Sequence, residues 1–295
     1  MLISTQSPGT VVGVTAFLIA LDIAVVVMRY YAKRLRQQPL KTEDWFCFVS
    51  LILAMGLAAV LFIGVGKKAL AYPTPQLASR TPLAESNDRI ITSSRLQYIF
   101  VVISVPTLGL INLSVLTFYR RIFVIDRSNL KDFRNAVYFG MMVAITLWTG
   151  GFFLSFMFAC KGHFTAWWTS AISLITNCVN TLELVFAYAI SDFITDVSIM
   201  LLPIPSVMSL HLPTARKIGV MFVFLLGALA ILASTIRMVS IIWARQLGFN
   251  PSIDEDLLIT DMIFCSMLEV AFGIIATCLP TLRPLVQTKS INYIL

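Results

Sequence analysis

Residues 44–66 read DWFCFVSLILAMGLAAVLFIGVG, and no charged residue interrupts the stretch between Asp44 and the lysine pair Lys67-Lys68. A helix of about 20 mostly apolar residues is long enough to cross a bilayer. Lipid offers no hydrogen-bond partner for backbone N–H and C=O groups, so a stretch of this kind must be helical to insert. Residues 44–66 therefore predict a transmembrane helix.

Six further apolar segments share the 295-residue chain with this one. They cover residues 11–28, 96–119, 136–159, 183–208, 218–243 and 258–282. Hydrophobic residues make up 58% of the chain and charged residues 13%, whereas a soluble domain is roughly 25% charged. The sequence predicts an all-α, polytopic bundle of seven transmembrane helices, with residues 1–295 forming a single domain.

Lysine and arginine residues are unevenly distributed between the two sides of the predicted seven-helix bundle. Fourteen of them fall in the first, third and fifth loops and after the last segment, and seven fall on the other side. The first loop alone is assigned five, Arg29, Lys33, Arg34, Arg36 and Lys41. Because basic residues mark the cytoplasmic face, we expect the amino terminus outside and the carboxyl terminus in the cytoplasm. The membrane is either the endoplasmic reticulum or the plasma membrane. The basic residues suit anionic membrane lipids, and we expect no nucleic-acid partner.

The cysteines and histidines of the loops suggest a disulfide but no metal site. Cys160 and Cys178 flank the second outer loop, on the oxidising side of the membrane, where a disulfide is expected; two free thiols are the alternative. His163 and His211 fall in loops on opposite faces of the bundle and cannot share a metal. We expect neither a metal nor a cofactor.

Two prolines and one long loop carry structural expectations. Pro203 and Pro205 lie near the inner end of the fifth segment and predict a kink or the end of that helix. The outer loop 67–95 is long enough to be either a lid or a plain connector.

Several short motifs occur in a fixed order along the chain. They are TEDW at 42–45, LSVLTFYRRIF at 113–123, SDFITD at 191–196, ASTIR at 233–237 and CLPTLRP at 278–284. In these motifs the chain resembles the fungal rhodopsin-domain family of integral membrane proteins, typified by the satratoxin-cluster membrane protein and related to the seven-helix domain of fungal CFEM receptors. The resemblance implies a seven-helix membrane fold and a setting in secondary-metabolite gene clusters.

Ionisable side chains inside the apolar segments are the candidate functional residues, because burying a charge in lipid is expensive. The candidate ligand-binding residues are Asp22, Asn112, Asp192, Asp196, Arg237 and Glu269. A rise of 1.5 Å per residue places Asp192 about 14 Å, Arg237 about 9 Å and Glu269 about 16 Å below the outer face.

Arg237 is the only cation within the segments, and its planar fork suits a carboxylate partner. We expect it to pair with Asp192, which leaves Asp196, Glu269 or Asp22 without a cation, so at least one carboxyl should be protonated or face water. One interpretation is a polar network that only fixes helix packing. The other is a ligand cavity that opens outward among the fifth, sixth and seventh helices.

The sequence bears on four classes of function. A retinal protein is excluded, because residues 258–282 contain no lysine for a Schiff base and Lys289 lies beyond them. A membrane enzyme of secondary metabolism would use Asp192, Asp196 and Glu269 as candidate acids towards a lipophilic intermediate. A receptor that senses an external small molecule through a G protein is the alternative, and a transporter is the weakest match.

The sequence therefore predicts a fungal rhodopsin-like membrane protein of a mycotoxin-type pathway that binds or acts on a lipophilic small molecule. Its expected partners are membrane lipids, that molecule, and either pathway enzymes or a G protein.

Overall fold

Seven long helices form the protein in the computed structural model, which describes residues 7–35, 37–72, 88–123, 133–163, 165–169, 171–204, 214–247 and 255–292. They are α1 (Pro8–Leu35), α2 (Thr42–Gly66), α3 (Asp88–Phe123), α4 (Phe133–Met157), α5 (Thr181–Leu201), α6 (Thr214–Leu247) and α7 (Glu255–Asn292). Each contains a stretch long and apolar enough to cross a membrane, and the described residues contain no β-strand. The predicted all-α bundle with seven membrane-spanning helices is confirmed.

The outer face is the end of the bundle at which α1 begins, and the inner face is the opposite end. That the outer face is extracellular stays a prediction. Residues 73–87, where the long outer loop was interpreted as a lid or a connector, lie outside the described residues.

Four helices, α1, α3, α6 and α7, extend beyond both ends of their apolar segments. α1 continues to Leu35, although its segment ends at residue 28, and α3 begins at Asp88, although its segment begins at residue 96. Hydropathy marks only the part of a helix in lipid, whereas the backbone hydrogen bonds continue into polar turns. The assignment of Arg29, Lys33 and Arg34 to the first loop is therefore wrong, because all three residues belong to α1.

α5 ends sooner than its segment predicts. Its last helical residue is Leu201, and Pro203 follows in a turn. Proline has no backbone N–H and its ring clashes with the preceding helical turn, so the predicted helix termination is confirmed. Pro205 lies outside the described residues.

α7 is the central helix of the bundle. It packs against α6, α1, α3 and α2, and 67% of its spanning residues are buried, against 11% in α4. A helix that is apolar on all sides can be surrounded by other helices or by lipid, so composition does not separate these two positions. α7 therefore brings its polar residues into contact with most of the bundle.

The outer loop between α4 and α5 is closed by a disulfide between Cys160 and Cys178. Two short helices, Ala166–Thr169 and Ala171–Asn177, lie within the loop. The ring centroids of Trp167 and Trp168 lie 5.1 and 5.9 Å from that of Tyr98 on α3. These contacts fix the loop against the outer end of α3.

Gly109 sets the distance between α3 and α4. A Cβ atom added at this position would lie 2.1 Å from Oγ1 of Thr149 and 2.7 Å from its Cγ2. We expect Gly109→Ala to destabilise the protein by about 1–3 kcal/mol, because α3 and α4 must move apart. Thermal unfolding in detergent measures the loss. Gly150→Ala on α4, which meets nothing within 4 Å, is the control, and equal unfolding temperatures for the two variants would contradict the close contact.

Candidate functional site

Four of the predicted residues meet midway along the bundle. α5 supplies Asp192 and Asp196, α6 supplies Arg237 and α7 supplies Glu269. The guanidinium of Arg237 forms an ion pair with Oδ2 of Asp192, and its Nη1 lies 2.9 Å from Oε2 of Glu269. Nη1 also donates to Oγ of Ser266 at 2.9 Å. The pairing of Arg237 with Asp192 is confirmed, and Glu269 shares the same cation.

An aromatic cluster lies on the outer side of this site. It consists of Trp148, Phe152, Phe156 and Tyr188, with ring centroids 5.4 to 6.5 Å apart. Tyr188 precedes Asp192 by one turn of α5, and its ring lies 5.5 Å from Cζ of Arg237. Trp148 donates from Nε1 to Oγ of Ser191 at 2.9 Å, which fixes α4 against α5. Through Tyr188, the cluster contacts the guanidinium of Arg237.

A cavity of about 80 Å³ lies on the inner side of the carboxylates, between α3, α5, α6 and α7. Asp196 and Asn112 are polar residues of its wall, which is otherwise mostly apolar and includes Gly227 and Phe272. Tyr119, near the inner end of α3, also lines it. The sequence interpretation placed a cavity on the outer side of these acids. The cavity between α3, α5, α6 and α7 lies on their inner side instead, and Tyr188 lies on the outer side of Asp192 against Arg237.

Asp22 does not join the other acids. It is fully buried in α1, which packs against α7 and α2. Neither of its carboxyl oxygens has a hydrogen-bond partner among the described residues. Asn112, in contrast, shares the cavity with Asp196. From the sequence, only the depth of a residue along its helix can be estimated. Depth does not show that Asn112 lines the cavity and that Asp22 does not.

The site holds more acid than base. One oxygen from each of Asp192, Asp196 and Glu269 lies within 4.8 Å of the other two, and Arg237 pairs with Asp192 and Glu269. Oγ of Ser234 donates to Oδ2 of Asp196 at a long 3.4 Å, and the carboxyl groups of Asp196 and Glu269 are hydrogen-bonded to each other. Three ionised carboxylates with one guanidinium would leave net negative charge buried, which is unfavourable. We infer that the three carboxyl groups hold at least one proton between them, and Asp196 is the one of the three that lines the cavity.

The same three carboxyl groups are close enough to bind a cation. Calcium and magnesium prefer about six or more oxygen ligands, and here a guanidinium already lies against two of the three carboxyl groups. A proton therefore compensates the remaining charge more simply than a metal ion does. Of the two histidines, His163 is exposed in the outer loop, and His211 lies outside the described residues.

Comparison with known proteins places this architecture in a family. The family model described as the fungal rhodopsin domain matches residues 28–288. The chain belongs to the fungal rhodopsin domain family. A curated relative, the polyenoic acids biosynthesis gene cluster protein Ba17b of Metarhizium anisopliae, is 27% identical over 285 residues, which cover 90% of this chain and 71% of the relative. No solved structure matches the chain significantly.

This fungal rhodopsin domain has a second buried ion cluster that the sequence analysis missed. It lies towards the inner face and consists of Arg29 and Lys33 of α1, Glu43 and Asp44 of α2, and Arg121 of α3. Asp44 binds Nε of Arg29 at 2.9 Å and Nζ of Lys33 at 2.5 Å. Glu43 binds Nη1 of Arg121 at 2.6 Å. Arg29, only 1% exposed, also donates to the backbone carbonyl of Thr277 on α7.

The inner ion cluster thus joins α1, α2, α3 and α7 of the fungal rhodopsin domain. A signal for it exists in the sequence, since Arg29 and Lys33 are four residues apart and share a helix face. That signal was overlooked because basic residues next to an apolar segment were counted as loop charges.

Proposed function

We propose that the protein serves a secondary-metabolite pathway by binding a lipophilic small molecule in the cavity between α3, α5, α6 and α7. One observation carries the proposal: Asp196 and Asn112 both face a cavity whose walls are otherwise largely apolar. Small-molecule sites have this composition, with apolar walls for burial and a few polar groups for orientation. The wording of the relative's name, a gene cluster for polyenoic acids, supports a ligand with a long unsaturated chain.

The size of the cavity limits which part of a ligand it encloses. A volume of about 80 Å³ is below the roughly 300 Å³ of a pocket that buries a drug-sized molecule. We therefore expect the cavity to hold the polar end of the ligand and the adjoining carbon atoms. The rest of the chain would lie along the apolar surfaces of the helices.

Filling the cavity at Gly227 tests this proposal. The probe is the methyl ester of parinaric acid, a conjugated polyene whose fluorescence rises in apolar sites. A Cβ atom at Gly227 meets nothing closer than Cγ of Met200 at 3.9 Å, so Gly227→Leu should fold and occupy the cavity. We expect saturable binding to the purified protein in detergent, weakened about tenfold in this variant, which corresponds to about 1.4 kcal/mol. Protein-free micelles provide the fluorescence background.

Gly13→Leu is the matched control, because Gly13 is exposed on α1, has no atom within 4 Å of an added Cβ, and is not part of the cavity wall. It should bind the ester like the unchanged protein. Equal binding by both variants would place the probe on the outer surface of the bundle and contradict the proposal.

The role in metabolism is tested in a strain that produces the metabolite. Deletion of the gene should cause a pathway intermediate to accumulate, and the unchanged protein, but not Gly227→Leu, should reverse this. Lower transcript levels for the whole pathway without an accumulated intermediate would favour a sensing role, as in a receptor, over a role in handling the intermediate.

A further inference from the structure

The polar residues of the cavity specify the kind of group that the ligand brings to them. We propose that this group is an uncharged oxygen acceptor, such as an ester, ketone or epoxide oxygen, held by the carboxyl O–H of Asp196 and the amide N–H of Asn112. The inference rests on the proposed function, because it assigns the polar end of a ligand in the same cavity.

The charges around the cavity disfavour an anion. Its described wall contains the acidic residue Asp196 and no lysine or arginine, and two more carboxyl groups, Asp192 and Glu269, lie within 4.8 Å of Asp196. The guanidinium of Arg237 is already held by those two and by Ser266. A carboxylate on the ligand would therefore add negative charge where no free cation compensates it.

The hydrogen-bond donors favour an acceptor. Asn112 is 7% exposed, and its Nδ2 has no partner among the described residues. A buried donor without an acceptor costs about 1–3 kcal/mol, which an oxygen atom of the ligand would recover. Asp196 lines the same cavity and becomes the second donor when it carries the proton that the three carboxyl groups require.

An ammonium group fits this arrangement less well. The excess of acidic residues would attract it, but Nδ2 of Asn112 would then face another N–H donor and stay without an acceptor. A neutral oxygen satisfies both the amide of Asn112 and the carboxyl of Asp196, and it adds no charge to the site.

Three probes with the same polyene chain and different polar ends test the inference: parinaric acid methyl ester, parinaric acid as its carboxylate at pH 8, and the corresponding primary amine. We expect the ester to bind at least about tenfold more tightly than either charged probe, which corresponds to about 1.4 kcal/mol. Asn112→Leu should weaken binding of the ester about tenfold, because the amide donor is lost.

Asp196→Asn and Asp196→Leu together give a readout that a merely structural role would not change. Asp196→Leu has no donor and should weaken ester binding about tenfold. The amide of Asp196→Asn keeps a donor and, like the protonated acid, carries no charge, so ester binding and the preference for the ester should persist. Asp22→Asn, the same substitution at a buried acid outside the cavity, should leave that preference unchanged.

Carboxylate binding as tight as ester binding would overturn the inference. The inference would also be wrong if the amine bound most tightly, because the polar end of the ligand would then be a cation. Either result would leave the proposed function standing, whereas the absence of saturable binding by all three probes would reject that function. If Asp196→Asn does not fold, the three probes on the unchanged protein and on Asn112→Leu still decide.

Discussion

Replacing Arg237 by methionine should destabilise the bundle more than any single change in the apolar surface. Arg237 is 3% exposed and holds the buried carboxylates of Asp192 and Glu269. Without it, three carboxyl groups remain close together in a nonpolar interior with no cation. Removing one partner of a buried ion pair costs about 3–5 kcal/mol, a large part of the roughly 5–15 kcal/mol by which a typical protein is stable.

The three free cysteines, Cys47, Cys265 and Cys278, provide the measurement. All are buried, so a thiol-reactive dye reports unfolding as the temperature rises. We expect a clearly lower midpoint for Arg237→Met. Arg34→Met, which changes an exposed arginine on α1, should leave the midpoint unchanged.

A combined variant separates the effect of charge from the effect of packing. Adding Asp192→Asn and Glu269→Gln to Arg237→Met removes the two carboxylates that lost their partner. We expect this combined variant to regain a large part of the decrease in midpoint temperature. An unchanged midpoint in the single variant would contradict the importance of the ion pairs. No recovery in the combined variant would mean that the arginine acts through its volume.

Asp44→Asn should have the second largest effect, in the inner ion cluster. Asp44 accepts hydrogen bonds from Arg29 and Lys33, and from the backbone N–H of Lys41 at 2.8 Å. An asparagine can still accept through its one amide oxygen, but its NH2 group then faces the other donor and both ion pairs are lost. Arg29 keeps the carbonyl of Thr277, and Lys33 keeps Glu43 at 3.6 Å. We expect a loss of about 3–5 kcal/mol and loosening of α1 against α2.

Labelling of Cys47 localises this effect. Cys47 lies one turn from Asp44 on α2, and its Sγ is 3.5 Å from Sγ of Cys278 on α7. In Asp44→Asn, mass spectrometry should find faster dye labelling of Cys47 below the unfolding temperature. Asp88→Asn, at an exposed acid in the first turn of α3, is the control. Equal labelling rates in the two variants would show that the inner ion cluster does not hold α2 in place.

The sequence by itself determined the class, the number of spanning helices and the family. A bilayer admits few structures: each apolar segment must satisfy its own backbone hydrogen bonds, so residues 44–66 and their six counterparts had to be helices. The rise per residue also predicted similar depths for Asp192 and Arg237, and the two residues form an ion pair. The ends of α1 and α3 were missed because polar turns continue a helix without an apolar signal.

The tertiary structure alone decided which polar residues share a site. Depth follows from position in the chain, but the direction in which a side chain points depends on which helices surround it. α7 brings Glu269 to Arg237. Asp22 is buried in α1, which packs against α2 and α7. Arg29 is buried in an ion pair with Asp44, although its place in the sequence suggests a loop. The cavity lies on the inner side of the acids, between α3, α5, α6 and α7. Such contacts depend on how the helices pack. Lipid tails and the interior of the bundle are about equally apolar, so hydropathy does not distinguish the lipid-facing side of a helix from the side that packs against other helices.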